Sequence, residues 1–158
     1  MSGSFNFKEF ECFTKQLEKL AKEKDKLFQD AAKELAAILL TLVIEKTPVG
    51  NHPAESGMVG GTLKRGWTIQ TSLGTMQVSS DGNTYTIEVT NPVDYASYVE
   101  SGHRQTPGRY VPAIGKRLKK RWVAGKFMMR ESVEELQKIA PKVLERKIER
   151  FLKECLDD

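Results

Sequence analysis

Apolar residues recur at steps of three and four from Phe7 to Lys46: Phe10, Phe13, Leu17, Leu20, Leu27, Ala31, Leu35, Ile38 and Leu42, with one slot on Lys24. Such spacing draws one stripe along a helix, and Glu, Lys and Gln fill the opposite side. Ala21 to Lys26 is weakly apolar, so the run reads either as one long helix or as two hinged near Lys24 to Lys26. Unbroken, it would be roughly 60 Å long, more than a chain this size can cover. Part of it would then meet a partner subunit or stand clear of the body. Thr47-Pro48 ends it, because a proline disfavours helix in the residue before it. Residues 48–61 hold four glycines and two prolines, the composition of a long irregular loop.

The period then changes to two. Trp67, Ile69, Thr71 and Leu73 alternate with polar residues; Met76 and Val78 follow a turn at Leu73-Gly74; Tyr85, Ile87 and Val89 follow the hairpin signal Ser80-Asp81-Gly82-Asn83. A three-stranded antiparallel meander is expected over about 62–91, with one apolar face for the first helix to cover. Asn91-Pro92 reads as a helix start and Gly102 as its stop, giving a short helix over about 92–101. On it Tyr95, Tyr98, Val99 and Gly102 share one side, and the tyrosines read as packing residues. A basic loop is expected at 103–126. A last helix follows at about 127–156, striped by Met129, Val133, Leu136, Ala140, Val143, Leu144, Ile148, Phe151 and Cys155. Pro141 should kink or divide it. The expected class is α+β: long N- and C-terminal helices on a small antiparallel sheet of three or four strands, with a short connecting helix, all in one domain spanning 1–158.

Composition narrows the class further. With 39% hydrophobic and 29% charged residues and a net charge of +4, the chain reads as soluble with modest core material. The most apolar run, Leu35 to Ile44, is too short to span a bilayer, and the N-terminus lacks the apolar core of a signal peptide. Cys12 and Cys155 therefore read as reduced thiols, not a disulfide. His52 and His103 lie far apart without the companions a metal site needs, so no metal and no cofactor is expected. Gly60-Gly61 is no phosphate loop, since no Gly-Lys-Ser/Thr follows.

Candidate chemistry gathers at the end of the short helix and in the loop after it. Glu100 and His103 could be imagined as a hydrolytic pair, but neither has a third partner, and catalysis is not expected. Lys116, Arg117, Lys119, Lys120 and Arg121 beside Trp122 form a basic run with an indole available for stacking. It reads as a nucleic-acid-binding module, or as a solvated loop pairing with acidic surface on a neighbour. The modest total charge favours the second.

Three pieces in order carry a resemblance. One helix ends in Thr47-Pro48-Val49; Gly61-Thr62-Leu63-Lys64-Arg65-Gly66-Trp67 opens a strand; Tyr95-Ala96-Ser97-Tyr98-Val99-Glu100-Ser101-Gly102 precedes a basic loop and Phe127-Met128 at the start of the last helix. This set resembles the small neck, or tail-completion, proteins of long-tailed bacteriophages and prophages. The chain departs from their usual pattern by the insertion Asn51 to Gly60 and by a longer loop between Gly102 and Phe127. The resemblance implies a structural virion protein that completes the tail and joins tail tube to head connector. It implies a homo-oligomeric, typically hexameric ring, with head connector and tail tube or terminator proteins as partners and passing contact with DNA in the lumen. Location would be the neck of the virion, after assembly in the bacterial host cytoplasm, with no membrane partner. A ring needs two different complementary faces on each subunit. The candidate contact residues are Glu100, His103, Arg104, Arg109, Lys116, Arg117, Lys119, Lys120, Arg121 and Trp122, with Glu131, Glu134 and Glu135 offered for the opposite face.

Overall fold

A computed structural model describes residues 7–50, 60–69, 71–72, 75–76, 79–81, 84–112 and 115–156. The inserted segment 51–59 with His52, the Leu73-Gly74 turn, Val78 and the Gly82-Asn83 turn lie outside the described residues, as does the Cys12 side chain.

The first periodic stretch is one continuous helix, α1, Phe7–Lys46, with no hinge at Lys24 to Lys26. The last is α4, Met128–Leu156, which runs unbroken through Pro141. Pro141 is exposed, so the carbonyl its missing N–H would have bonded can turn to water. The two helices pack antiparallel. Lys46 bonds Glu135 at 2.8 Å, Glu34 bonds Lys147 at 2.8 Å, and the Cys155 thiol lies 3.8 Å from the Glu23 carboxylate. These cross-links match residues 23–46 of α1 to residues 135–155 of α4. The N-terminal turns of α1, which starts at Phe7, therefore run on past the end of α4 at Leu156.

The buried positions of α1 are Ala31, Ala36 and Val43. Ala36 and Val43 lie off the stripe read from the sequence, because the helix is covered from two directions, by α4 and by the strands. On α4, Met128 and Ser132 are buried at the first turns, one position before the expected Met129 and Val133. The Ser132 hydroxyl donates to the Met128 carbonyl at 2.6 Å, which is how a serine sits fully buried in a helix.

Between the long helices the chain opens with α2, Thr62–Gly66, where a strand was expected. Arg65 N–H bonds the Gly61 carbonyl at 3.0 Å and Leu63 is buried, so a single helical turn serves to drop one leucine into the core. Antiparallel ladders follow. β1 (Thr68–Ile69) pairs with β6 (Val89–Thr90), β2 (Thr71–Ser72) with β3 (Thr75–Met76), and β4 (Ser79–Asp81) with β5 (Thr84–Thr86). Tyr85, Ile87 and Val89 are half-buried between exposed neighbours, the alternation the sequence predicts.

The short helix, α3, is Ala96–Ser101, later than the Asn91-Pro92 signal placed it. Asn91 does not cap it. Its side-chain oxygen instead accepts the Val93 N–H at 3.2 Å and its amide donates to the Leu63 carbonyl at 2.8 Å. The core of buried Val43, Leu63 and Met128, with Trp67, Val89, Val93, Ala96 and Val99 packed around it, lies where α1 ends, α3 passes and α4 begins.

Candidate functional site

The segment expected as a basic loop is a two-stranded ribbon. β7 (Gly102–Arg104) pairs with β10 (Trp122–Ala124), and β8 (Tyr110–Val111) pairs with β9 (Lys116–Arg117). Between these ladders Gln105 N–H bonds the Arg121 carbonyl at 2.8 Å, Gly108 N–H bonds that of Leu118 at 2.8 Å, and Leu118 N–H bonds that of Arg109 at 2.9 Å. Towards the tip, Gly115 N–H bonds the Pro112 carbonyl at 3.1 Å. Gly115, three residues after Pro112 and between Tyr-Val and Lys-Arg, is the sequence feature that marks a hairpin in this segment.

The ribbon's base is fixed by close backbone approach. Gly102 has φ +83°, and a Cβ there would strike the Val123 carbonyl and sit 2.7 Å from the Gly125 nitrogen. Lys126 N–H bonds the Val99 carbonyl at 2.8 Å, and Phe127 N–H bonds that of Glu100 at 3.1 Å. Glu100 does more. Its two carboxylate oxygens accept the N–H groups of Met129 at 3.0 Å and Arg130 at 3.1 Å, so it caps the otherwise open N-terminus of α4. Expected as a contact residue, Glu100 is engaged inside the subunit. His103, across the ladder from Val123, has Nε2 3.1 Å from the Gln105 amide and Tyr98 edge-on at 5.7 Å. Neither side chain serves the other, so the imagined Glu100/His103 pair does not form.

Arg104, Arg109, Lys116, Arg117, Lys119, Lys120, Arg121 and Trp122 are all exposed along the ribbon. Arg117 donates to the Gly108 carbonyl at 2.7 Å, steadying the turn. Arg104 and Arg121, with Gln105, Thr106, Pro107 and Trp122, line an open cleft of about 630 Å³. Tyr95 and Tyr98 do not pack into the core: 46% and 57% of their surface remains exposed, and Val99 alone turns to the core from that helix face. Two of the three acidic positions offered for a second face, Glu134 and Glu135, are already partnered. Glu135 holds Lys46, and Glu134 lies 3.9 Å from Arg130, which stacks over Phe127 at 4.1 Å.

A surface the sequence did not announce lies on the flank of α1. Phe28, Ala31, Leu35, Leu39, Ile87 and Leu136 are among the apolar walls of a groove of about 320 Å³ between α1, the third pass of strands and α4. Phe28 stacks on Tyr85 at 5.6 Å, and the Tyr85 hydroxyl donates to Asp25 at 2.7 Å. That bond, with burial and the nearby charge, raises the phenol above its ordinary value. Among the described residues no three His, Cys, Asp or Glu gather as a metal site requires, and no helix is long and apolar enough to cross a membrane.

The pieces that carry the resemblance meet in one hydrogen-bonded junction under the ribbon. The Trp67 indole donates to the Thr47 hydroxyl at 2.7 Å, and Thr47, buried, donates in turn to the Val43 carbonyl at 2.5 Å. Gly66 leaves room for Asn91 and Val93, whose side chains would meet a Cβ at 2.5 and 2.8 Å. The family model for HK97-gp10-like proteins, described as a tail component of bacteriophage HK97, matches residues 11–102. The chain belongs to the HK97-gp10-like family. No curated protein and no solved structure matches the chain. For an HK97-gp10-like protein the expected place is the phage tail, as a structural component contacting other virion proteins. The match ends at Gly102, where the ribbon begins, so the family pattern covers Thr47, Trp67, Asn91 and Glu100 of the junction and most of α1, but neither the ribbon nor α4.

Proposed function

We propose that this tail component works in the neck, completing the tail and joining tail tube to head connector as a ring of identical subunits, six as the resemblance implies. The observation that carries the reading is a pair of different unfilled apolar surfaces on one subunit. Phe13 and Leu17, one turn apart and each about half exposed, lie on the part of α1 that outruns α4. The groove lined by Ala31, Leu35 and Leu39 lies further along the same helix. Its occupant on this reading is the α1 extension of a second copy. A projecting helix that fits a groove elsewhere on its neighbour makes a head-to-tail contact, and such a contact closes into a ring when the rotation between copies divides a full turn.

The ring's other partners are head connector and tail tube or terminator proteins, its lumen is a passage for DNA, and assembly takes place in the host cytoplasm. Phage lacking the protein should accumulate separate heads and unfinished tails in electron micrographs. Normal particles would sink the proposal. Leu17→Asp should abolish rings of the purified protein while leaving its helical circular dichroism unchanged.

A further inference from the structure

Charge is divided sharply between ribbon and body. Residues 103–126 hold eight of the 25 Lys and Arg and none of the 21 Asp and Glu, so the remaining residues together carry four net negative charges. The overall +4 thus averages an acidic body with a strongly basic ribbon, and it understates the ribbon. Among the described residues, none of the ribbon's cations forms an ion pair; Arg117 alone has a hydrogen bond, to a backbone carbonyl. Like charges lined along a narrow hairpin repel one another unless an outside anion sits between them.

Two aromatic rings interrupt the cations at matching places. Tyr110 faces Arg117 across one ladder, Trp122 faces Arg104 across the other, and both rings are 52% exposed. Exposed rings beside guanidinium groups offer stacking faces next to phosphate-binding forks. The three lysines at 116, 119 and 120 help choose between an acidic protein and a polyphosphate. Lysine is depleted in protein interfaces, where holding its strongly hydrated head is unfavourable. Along a nucleic acid the same lysines act as point charges that release counterions, with no fixed geometry needed.

We infer that the ribbon is a nucleic-acid contact surface: Arg104, Lys119, Lys120 and Arg121 bind the phosphodiester backbone, and Trp122 and Tyr110 lie against sugars or bases. It stands on the ribbon's own residues and does not require a ring. The experiment is fluorescence anisotropy of the full chain with a labelled duplex and, separately, an oligothymidine of equal length, across a salt series. Binding should weaken linearly in log–log form, with about one counterion released per phosphate contacted. Lys119→Gln/Lys120→Gln/Arg121→Gln should weaken binding at least tenfold at low salt and lower the slope by about two to three. Trp122→Ala should cost the single-strand arm roughly fivefold or more and the duplex arm little if the ring stacks on bases. Equal losses in both arms would place it on the backbone instead, with the phosphate contact intact. The triple change Lys138→Gln/Lys142→Gln/Lys153→Gln on exposed positions of α4 removes the same charge and should leave binding unchanged. Equal weakening by the two triple variants, or no binding at low salt, overturns the inference. So does loss of ring assembly in the ribbon variant with its DNA binding intact, which would assign the ribbon to an acidic neighbour.

Discussion

The junction beneath α3 and the ribbon that leaves it are built on opposite principles. In the junction nearly every polar group is answered within the subunit: Thr47 by Trp67, Asn91 by Leu63, Glu100 by the first turn of α4. In the ribbon the backbone is answered, strand to strand, while among the described residues the charged side chains are exposed and form no ion pair, Arg117 alone bonding a carbonyl. A region that satisfies itself holds shape; a region whose side chains are left open is suited to meeting something else. The family match stops at Gly102, where the ribbon starts, and takes in the Thr47, Trp67, Asn91 and Glu100 side of the junction but not the first turn of α4.

The largest effect should come from the junction's core. Met128 is 1% exposed and packs against Val43 and Leu63, so Met128→Ala should lose about 2–5 kcal/mol in urea denaturation. The ribbon triple variant at Lys119, Lys120 and Arg121 should change stability by no more than about 0.5 kcal/mol. Comparable losses would show that the ribbon helps hold the fold and would remove the contrast. Next is the seam between the two regions. Gly102→Ala forces a Cβ against the Val123 carbonyl at φ +83°, a strain of about 1–3 kcal/mol. Faster hydrogen exchange should follow at the β7 and β10 amides before it reaches α1. Glu100→Gln removes the charge at a helix N-terminus and leaves one accepting oxygen for the two N–H groups of Met129 and Arg130. It should cost about 1 kcal/mol; no change in melting temperature would mean water caps α4 equally well.

What could be read in advance follows the same division. α1, the strand alternation through Tyr85, Ile87 and Val89, and α4 are long or strictly periodic, and periodicity survives tertiary packing. The junction was visible only as disconnected words, because Thr47 and Trp67 are brought together by folding, not by spacing. The Asn91 signal misled for the same reason. Its side chain has a competing partner, the Leu63 carbonyl, which lies 28 residues away in the chain. The ribbon has the sequence of a loop because its strands are two and three residues long, too short for alternation to register. Its charge was visible, yet its weight was hidden by averaging over an acidic body. The apolar groove is absent from the sequence reading because, of Phe28, Ala31 and Ala32, only Ala31 lies on the periodic stripe, and a stripe does not say whether a neighbour covers it.

Alkaline pH should separate the regions most gently. Three groups of the body keep their protons more tightly folded than their ordinary values allow. Burial, with the Glu23 carboxylate alongside, raises the Cys155 thiol above 9.0; the bond to Asp25 raises the Tyr85 phenol above 10.0; the bond to Glu135 raises the Lys46 ammonium above 10.5. The folded state therefore binds more protons than the unfolded one above these values, and stability must fall as pH rises. The contribution is complete below pH 9.0, and begins to be lost first at Cys155, then at Tyr85, then at Lys46. Urea midpoints at neutral pH, at 9.5 and at 10.5 should decline for the native chain. They should decline less for Cys155→Ala/Tyr85→Phe/Lys46→Met, whose body has lost those protons' anchors. The ribbon triple variant should follow the native curve. If it also flattened the curve, the alkaline loss would come from the ribbon's charges, and the body would not be the region that its bonds hold closed.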